Sequence, residues 1–218
     1  MKLLLTSAGF FNKSIIDSLL ELTEKPFSEL NVAFIPTASN VEKGDKFWLI
    51  DDLISLKNLG FKQVDIVDIS ALSKDMWLPR LEEADILYFE GGNTFHLMHW
   101  IEKSGLKELL PEMLKTKVYV GVSAGSMVAC KNLDLSTSER LYDEKPGEND
   151  KDKGLGYVDF LVRPHLNSPY FPKLNLENLE KMSQEFPDTF YAIDDQTAIK
   201  IIDGEMRVIS EGVWKKFN

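Results

Sequence analysis

Short apolar runs alternate with stretches of helical spacing along the first half of the chain, and this alternation restricts the fold more than any other feature. Lys2–Thr6, Asn31–Pro36, Val64–Val67, Ile86–Phe89 and Val118–Val122 read as strands. Lys13–Glu24, Phe47–Leu59, Thr94–Lys103 and Leu106–Lys115 space their apolar residues as helices do. Gly60 offers a C-cap to the second of these helices, and Gly105 separates the last two. Strands that are apolar at nearly every position and joined through helices are buried on both faces. That pattern calls for an α/β fold, a parallel sheet with helices on both sides. Further along, Val158–Val162 is a short apolar segment and Leu174–Phe186 a helix. Thr189–Asp194, Ala198–Ile202 and Arg207–Ile209 read as a terminal meander, with Asp203 and Gly204 as a hairpin turn. With no internal repeat and no low-complexity linker, residues 1–218 are expected to form one domain.

Charge narrows the function classes. The chain has 25 Lys and Arg against 35 Asp and Glu, a net charge of −10. Such a surface repels phosphate backbones and anionic lipid, so neither nucleic acid nor membrane is an expected partner. The longest notable charge-free apolar stretch, Val118–Cys130, has 13 residues, short of the ~20 a spanning helix needs. The N-terminal apolar run stops after three leucines, short of the ~7–15 residues of a signal-peptide core. The single cysteine, Cys130, cannot form an internal disulfide, which suits a reducing compartment. The expectation is a cytoplasmic protein, monomeric or homodimeric. Asp143–Gly154 carries eight charges in twelve residues and reads as a solvated surface loop. Lying between the two strongest catalytic candidates, it also suits a lid.

Gly121-Val122-Ser123-Ala124-Gly125 fits the pattern G-x-S-x-G. An apolar strand enters it and a helix-compatible segment, Ala124 to about Lys131, leaves it, which is the context of a nucleophile elbow. Such a turn projects the serine hydroxyl above the sheet edge, and the N-terminus of the following helix offers the N–H of Ala124 to an oxyanion. A glycine of the Gly91–Gly92 pair, at the end of the fourth strand, would complete that oxyanion hole. Asn93 or Thr94 is also placed to cap the next helix.

A serine nucleophile needs a base, and the chain has three histidines. His96 and His99 share a helix with no third metal-ligating residue grouped with them, and read as surface or packing residues. His165, fixed behind Pro164 after the Val158–Val162 segment, is placed to be the base. Asp194, Asp195 and Asp134 are all candidates to orient its ring. No phosphate cradle of the P-loop or dinucleotide type occurs, so no nucleotide cofactor is expected. Cys130 reads as a small buried residue.

Phe89–Thr94, Gly121–Gly125, Pro164–His165 and Ala192–Asp195, in that order and at these spacings, resemble the dipeptidase E family of serine peptidases, which includes alpha-aspartyl dipeptidase and, more distantly, cyanophycinase. The resemblance covers nearly the whole chain. It implies a three-layer α/β/α sandwich with a mostly parallel sheet, like class I glutamine amidotransferases. It implies Ser123 as nucleophile and His165 as base, with the acid at Asp195, where a glutamate is common. Asp194 and Asp134 remain as alternative acids. Ala124 and a glycine of the Gly91–Gly92 pair, taken as Gly92, would form the oxyanion hole. The chain departs from the family in two ways. The segment after the histidine, Leu166–Leu174, is short and carries no arginine to bind an aspartyl carboxylate; the nearest cations are Arg163 and Lys173. Glu90 stands where a third glycine is common, and would pair with a substrate α-amino group. Glu90, Asn93 and Arg163 are therefore the candidate substrate contacts.

The expected activity is hydrolysis of dipeptides or short peptides through an acyl-enzyme, calling for no metal and no cofactor. An esterase or acyltransferase could use the same triad. A Ser123 hydroxyl more than ~4 Å from His165 would favour a non-catalytic binding module of the same fold, since proton transfer needs ~2.6–3.2 Å.

Overall fold

The computed structural model describes residues 1–147 and 151–218, so the charge-rich Asp143–Gly154 segment lies partly outside the described residues. The elements run β1 (Lys2–Thr6), α1 (Lys13–Thr23), β2 (Asn31–Ile35), α2 (Thr37–Asn40), α3 (Phe47–Leu59), β3 (Gln63–Ile66), α4 (Lys74–Glu83), β4 (Ile86–Phe89), α5 (Thr94–Lys103), α6 (Leu106–Met113) and β5 (Val118–Val122). They continue α7 (Ala124–Met127), α8 (Leu135–Tyr142), β6 (Leu161–Arg163), α9 (Leu176–Ser183), β7 (Phe190–Ile193), β8 (Thr197–Ile202), β9 (Glu205–Ser210) and β10 (Trp214–Phe217).

A seven-stranded sheet has the order β3-β2-β4-β5-β1-β8-β9. Its first five strands are parallel, and β8 and β9 add an antiparallel edge. The apolar strands bury both faces, as expected. On β1, Leu3 and Leu5 enter one core with Leu87, Phe89 and Tyr119, while Leu4 enters the other with Phe34, Tyr88 and Val120. Each such side chain, taken fully from water, contributes about 1.5–3 kcal/mol. The fold is thus the α/β class expected, a mainly parallel sheet between helical layers.

The terminal strands differ from the expected single meander. Only β8 and β9 form a hairpin on the main sheet, while β7 leaves it to join a second sheet of order β10-β7-β6. β6 and β7 pair in parallel, Arg163 opposite Ala192. The sequence pattern missed this because β6 is three residues long and its partner lies on the far side of a helix. Helix α4 was also not foreseen. It carries Pro79 inside it and buries only Trp77 and Leu81, which leaves little apolar periodicity to read. The elbow helix stops at Met127, shorter than the expected run to about Lys131.

All five parallel strands of the main sheet end at one edge, and the chain crosses that edge at Ser7, Pro36, Glu90 and Ser123. In open parallel sheets this carboxyl edge is where ligands bind. The second sheet brings the residues after β6 and β7 to the same place.

Candidate active site

Ser123 sits at φ 47° and ψ −107°, a conformation that costs a non-glycine residue about 1–3 kcal/mol and persists only where neighbours enforce it. The enforcement is visible. The Ser123 N–H donates to Thr6 O at 3.1 Å, continuing the β5–β1 ladder past its last strand pair. Ser126 Oγ bridges to the carbonyls of Thr6 and Gly121, both at 2.8 Å, and the Tyr119 hydroxyl donates to Gly125 O at 2.6 Å. Gly125 is required by close approach: a Cβ there would lie 2.1 Å from Phe89 O. The short helix α7 therefore packs directly onto the end of β4, and the strained turn holds the Ser123 side chain in the cleft.

His165 arrives from β6 by way of Pro164, with φ of 66°. Its backbone N–H donates to Ser7 Oγ at 2.8 Å, and Leu166 N–H donates to Ile193 O at 3.0 Å. These bonds lock the residue to both β1 and β7. The ring nitrogen Nε2 lies 2.9 Å from Ser123 Oγ and Nδ1 lies 2.7 Å from Asp195 Oδ1. Phe171 stacks on the imidazole, centroids 4.5 Å apart and planes 12° off parallel, which restricts ring rotation. With Asp195 ionised, Nδ1 carries the proton and donates to it, leaving the Nε2 lone pair facing the serine hydroxyl.

Asp195 is the acid that the structure brings to the ring. Burial pushes its carboxyl up, but hydrogen bonds from His165 and Ser7, with the His165 charge, outweigh burial and hold it below the ordinary carboxylate value. Asp194 points the other way and braces a turn, accepting from Gln196 N, Thr197 Oγ1 and Val213 N. Asp134 is not near the imidazole. It caps α8 and forms a buried ion pair with Arg163 at 2.5 Å, joining α8 to β6. Arg163 is thereby engaged within the fold and lines no part of the cleft. Lys173 pairs with Asp143. Asn93 is a helix cap, its side chain accepting from His96 N at 2.8 Å. His96 and His99 pack edge-on against Trp100. Cys130 is buried, its thiol pushed up to about 11 by desolvation.

Beside Ser123, Gly91 N–H is taken by Glu90 Oε1 at 2.9 Å. Among the described residues, the N–H groups of Gly92 and Ala124 have no such partner and remain available to an oxyanion. Gly92 has φ of 125°, and a Cβ there would lie 2.4 Å from Ala38 O. Only glycine fits that position.

A cavity of about 510 Å³ opens over these groups, with Ser7, Glu90, Gly92, Ser123, His165 and Asp195 in its wall. Much of the remaining lining is aromatic: Phe11, Phe47, Trp48, Tyr142, Tyr170 and Phe171. Glu144, from the charge-rich segment, also reaches it; its Oε1 accepts from Thr94 N at 2.7 Å, and burial pushes the carboxyl up to about 7. Lys43 and Lys46 line the cavity too. Sequence reasoning missed Ser7, Asp52, Phe171 and the two lysines. A serine directly after the first strand, opposite the elbow, was the one signal available for Ser7.

A strained serine elbow beside a histidine–carboxylate pair at a parallel-sheet edge is an arrangement suited to nucleophilic catalysis, and the family of the chain makes it a peptidase. The chain belongs to Peptidase family S51, whose model matches residues 3–209. It is 31% identical over 183 residues to an uncharacterized peptidase of Pasteurella multocida (strain Pm70), covering 82% of this chain and 84% of that one. An uncharacterized peptidase of Listeria innocua is 29% identical over 207 residues, covering 94% and 95%. A crystal structure of a provisionally assigned peptidase E protein from Listeria monocytogenes EGD-e superposes with a TM-score of 0.80 at 29% identity, covering 97% and 98%. Among the described residues, no helix is long and apolar enough to cross a membrane.

Proposed function

We propose that this peptidase is of the serine type and cleaves dipeptides or short peptides through an acyl-enzyme, with Ser123, His165 and Asp195 as its triad. The observation that carries the reading is the hydrogen-bonded chain itself, 2.9 Å from Ser123 Oγ to His165 Nε2 and 2.7 Å from His165 Nδ1 to Asp195 Oδ1. Both distances are within hydrogen-bond reach, as proton transfer from Ser123 to His165 requires.

Ser123 Oγ attacks the scissile carbonyl carbon and its proton passes to His165 Nε2. The carbonyl oxygen becomes an oxyanion held by the N–H groups of Ala124 and Gly92; one such donor is worth about 10²–10³ in rate. Asp195 stabilises the imidazolium. His165 then gives the proton to the departing amine, the C–N bond breaks, and the acyl group stays on Ser123. A water molecule deprotonated by His165 attacks the ester, releasing the acid and restoring the serine. A cavity of about 510 Å³ suits a few residues of peptide. The single cysteine suits a reducing compartment, and we assign the enzyme to the cytoplasm.

The test is turnover of a dipeptide library by wild type and Ser123→Ala, together with labelling by a serine-directed phosphonate. Turnover and labelling by wild type alone are expected. A wild-type protein that hydrolyses nothing and takes no label at Ser123 sinks the reading.

A further inference from the structure

The cavity wall holds two basic side chains, Lys43 and Lys46, both in the loop between α2 and α3. Lys43 is exposed, but Lys46, the residue before α3, is partly buried. Lysines are rarely withdrawn from water without a partner. Among the described residues, every other Lys or Arg of comparable or greater burial has one, an acid or a backbone carbonyl. Lys46 has no ion pair and no hydrogen bond among them. The inner acids of the cavity are engaged elsewhere. Asp195 meets His165 and Ser7, Glu144 accepts from Thr94 N, and Asp52 and Glu90 bond one another through a shared proton. An ammonium has three donors and no acceptor, so an anionic oxygen from a ligand is what this position lacks.

The neighbours of Lys46 show which part of a substrate reaches it. Phe47 is next in the chain, and its ring meets that of Tyr170, from the segment after His165, with centroids 5.8 Å apart. Both rings line the cavity, yet they are 45% and 71% exposed. Their contact therefore lies at the mouth, where it ties the start of α3 to the histidine segment. One residue further on, Trp48 turns inward. Its Cζ3 lies 3.9 Å from where a Cβ on Gly91 would stand, and that Cβ would be 3.3 Å from the Ser123 Cβ. Lys46, Phe47 and Trp48 thus lead from the mouth of the cavity to the nucleophile. An extended peptide residue spans only ~3.3–3.6 Å, so a short piece of substrate separates the scissile carbonyl from Lys46. Whatever its side chains, a short peptide ends in a carboxylate.

We propose that Lys46 binds the C-terminal carboxylate of the substrate, at a subsite bounded outward by Phe47 and Tyr170, so that the enzyme reads the free end of a dipeptide. The proposal rests on the peptidase reading of the same cavity and names what sets its substrate length.

Calorimetry on Ser123→Ala separates binding from turnover. Phenylalanyl-phenylalanine, whose side chains suit the aromatic lining, is compared with phenylalanyl-phenylalaninamide. The free acid is expected to bind about 10–100-fold tighter, the worth of a charge-assisted hydrogen bond. Adding Lys46→Met, checked for folding by circular dichroism, is expected to remove that difference, and Lys46→Arg to keep most of it. Phenylalanyl-phenylalanyl-alanyl-alanine carries its carboxylate about 7 Å further out and is expected to bind like the amide. Equal binding of acid and amide, or a difference that survives Lys46→Met, overturns the subsite. So does a difference lost equally in Lys43→Met, which marks a general field. Aspartyl-phenylalaninamide has a side-chain carboxylate and no terminal one; if it is the compound whose binding depends on Lys46, the C-terminal assignment is wrong. Phosphonate labelling of wild-type Ser123 is read in parallel. Labelling without acid–amide discrimination sinks the subsite alone; discrimination carried by Lys46 without labelling or turnover sinks the peptidase reading alone.

Discussion

Ser7 Oγ donates to Asp195 Oδ1 at 2.7 Å while accepting the backbone N–H of His165 at 2.8 Å. One buried serine thus fixes both the acid and the backbone of the base, and it does so from the position just after β1, the strand beside the elbow strand.

Ser7→Ala removes both bonds and leaves a buried N–H unpaired. The expected outcome is a fall in kcat of about 10-fold or more with KM nearly unchanged, because the hydroxyl holds the reacting groups in position. Steady-state kinetics on one dipeptide measure this, and an unaltered kcat rules the positioning role out.

Asp195→Asn and Asp194→Asn form a matched pair, since the two acids are adjacent and only the first meets His165. An amide at Asp195 cannot hold the imidazolium and favours the wrong tautomer, so kcat is expected to drop by about 10³–10⁴. Asp194→Asn should leave kcat within a few-fold and lower stability by about 1–2 kcal/mol, through the turn bonds to Gln196, Thr197 and Val213. Kinetics and denaturant unfolding of both proteins give the answer; the reverse pattern would move the acid to Asp194.

The contrast between these two acids shows where sequence reading stops. The elbow was legible because its signals are local: an apolar strand, a serine between glycines, a helix start. The parallel sheet was legible for the same reason, from β1 to β5. Whether Asp194 or Asp195 faces the imidazole depends on how β7 pairs with β6 and turns into β8, and that pairing joins segments about thirty residues apart. Arg163 looked available to substrate because its partner, Asp134, comes from another element. Asp52 had no signal, since its meaning comes from meeting Glu90 across two elements.

Gly92→Ala places a Cβ against Ala38 O at a φ of 125°, and the loop must shift to relieve it. The Gly92 N–H then moves off the oxyanion position. The expected result is a loss in kcat of about 10²–10³ with the Ser123–His165 pair intact. A dipeptide assay run beside the rate of phosphonate labelling tests it; wild-type rates in both would remove Gly92 from the oxyanion hole.

The cavity acids also give stability a pH dependence. Burial pushes Asp52 and Glu144 up to about 7 and Glu90 well above the ordinary carboxylate value, so the folded state binds protons that the unfolded chain has released. For a carboxyl raised on folding, stability is fully present below the unfolded pKa of ~4 and is lost as pH rises through the folded value. Asp195 works the other way, its contribution falling away only as pH drops below the ordinary carboxylate range. Between pH 5 and 8 the raised acids dominate, with Asp51 and the Tyr88 hydroxyl the groups facing Asp52. Wild-type Tm is therefore expected to fall by roughly 5–10 °C across that window. In Glu90→Gln an amide N–H donates to Asp52 without a shared proton, and the slope should flatten. Thermal melts of both proteins at matched ionic strength measure the difference. A Tm that rises with pH in wild type, or an identical slope in the variant, would mean that the pair does not hold its proton in the folded protein.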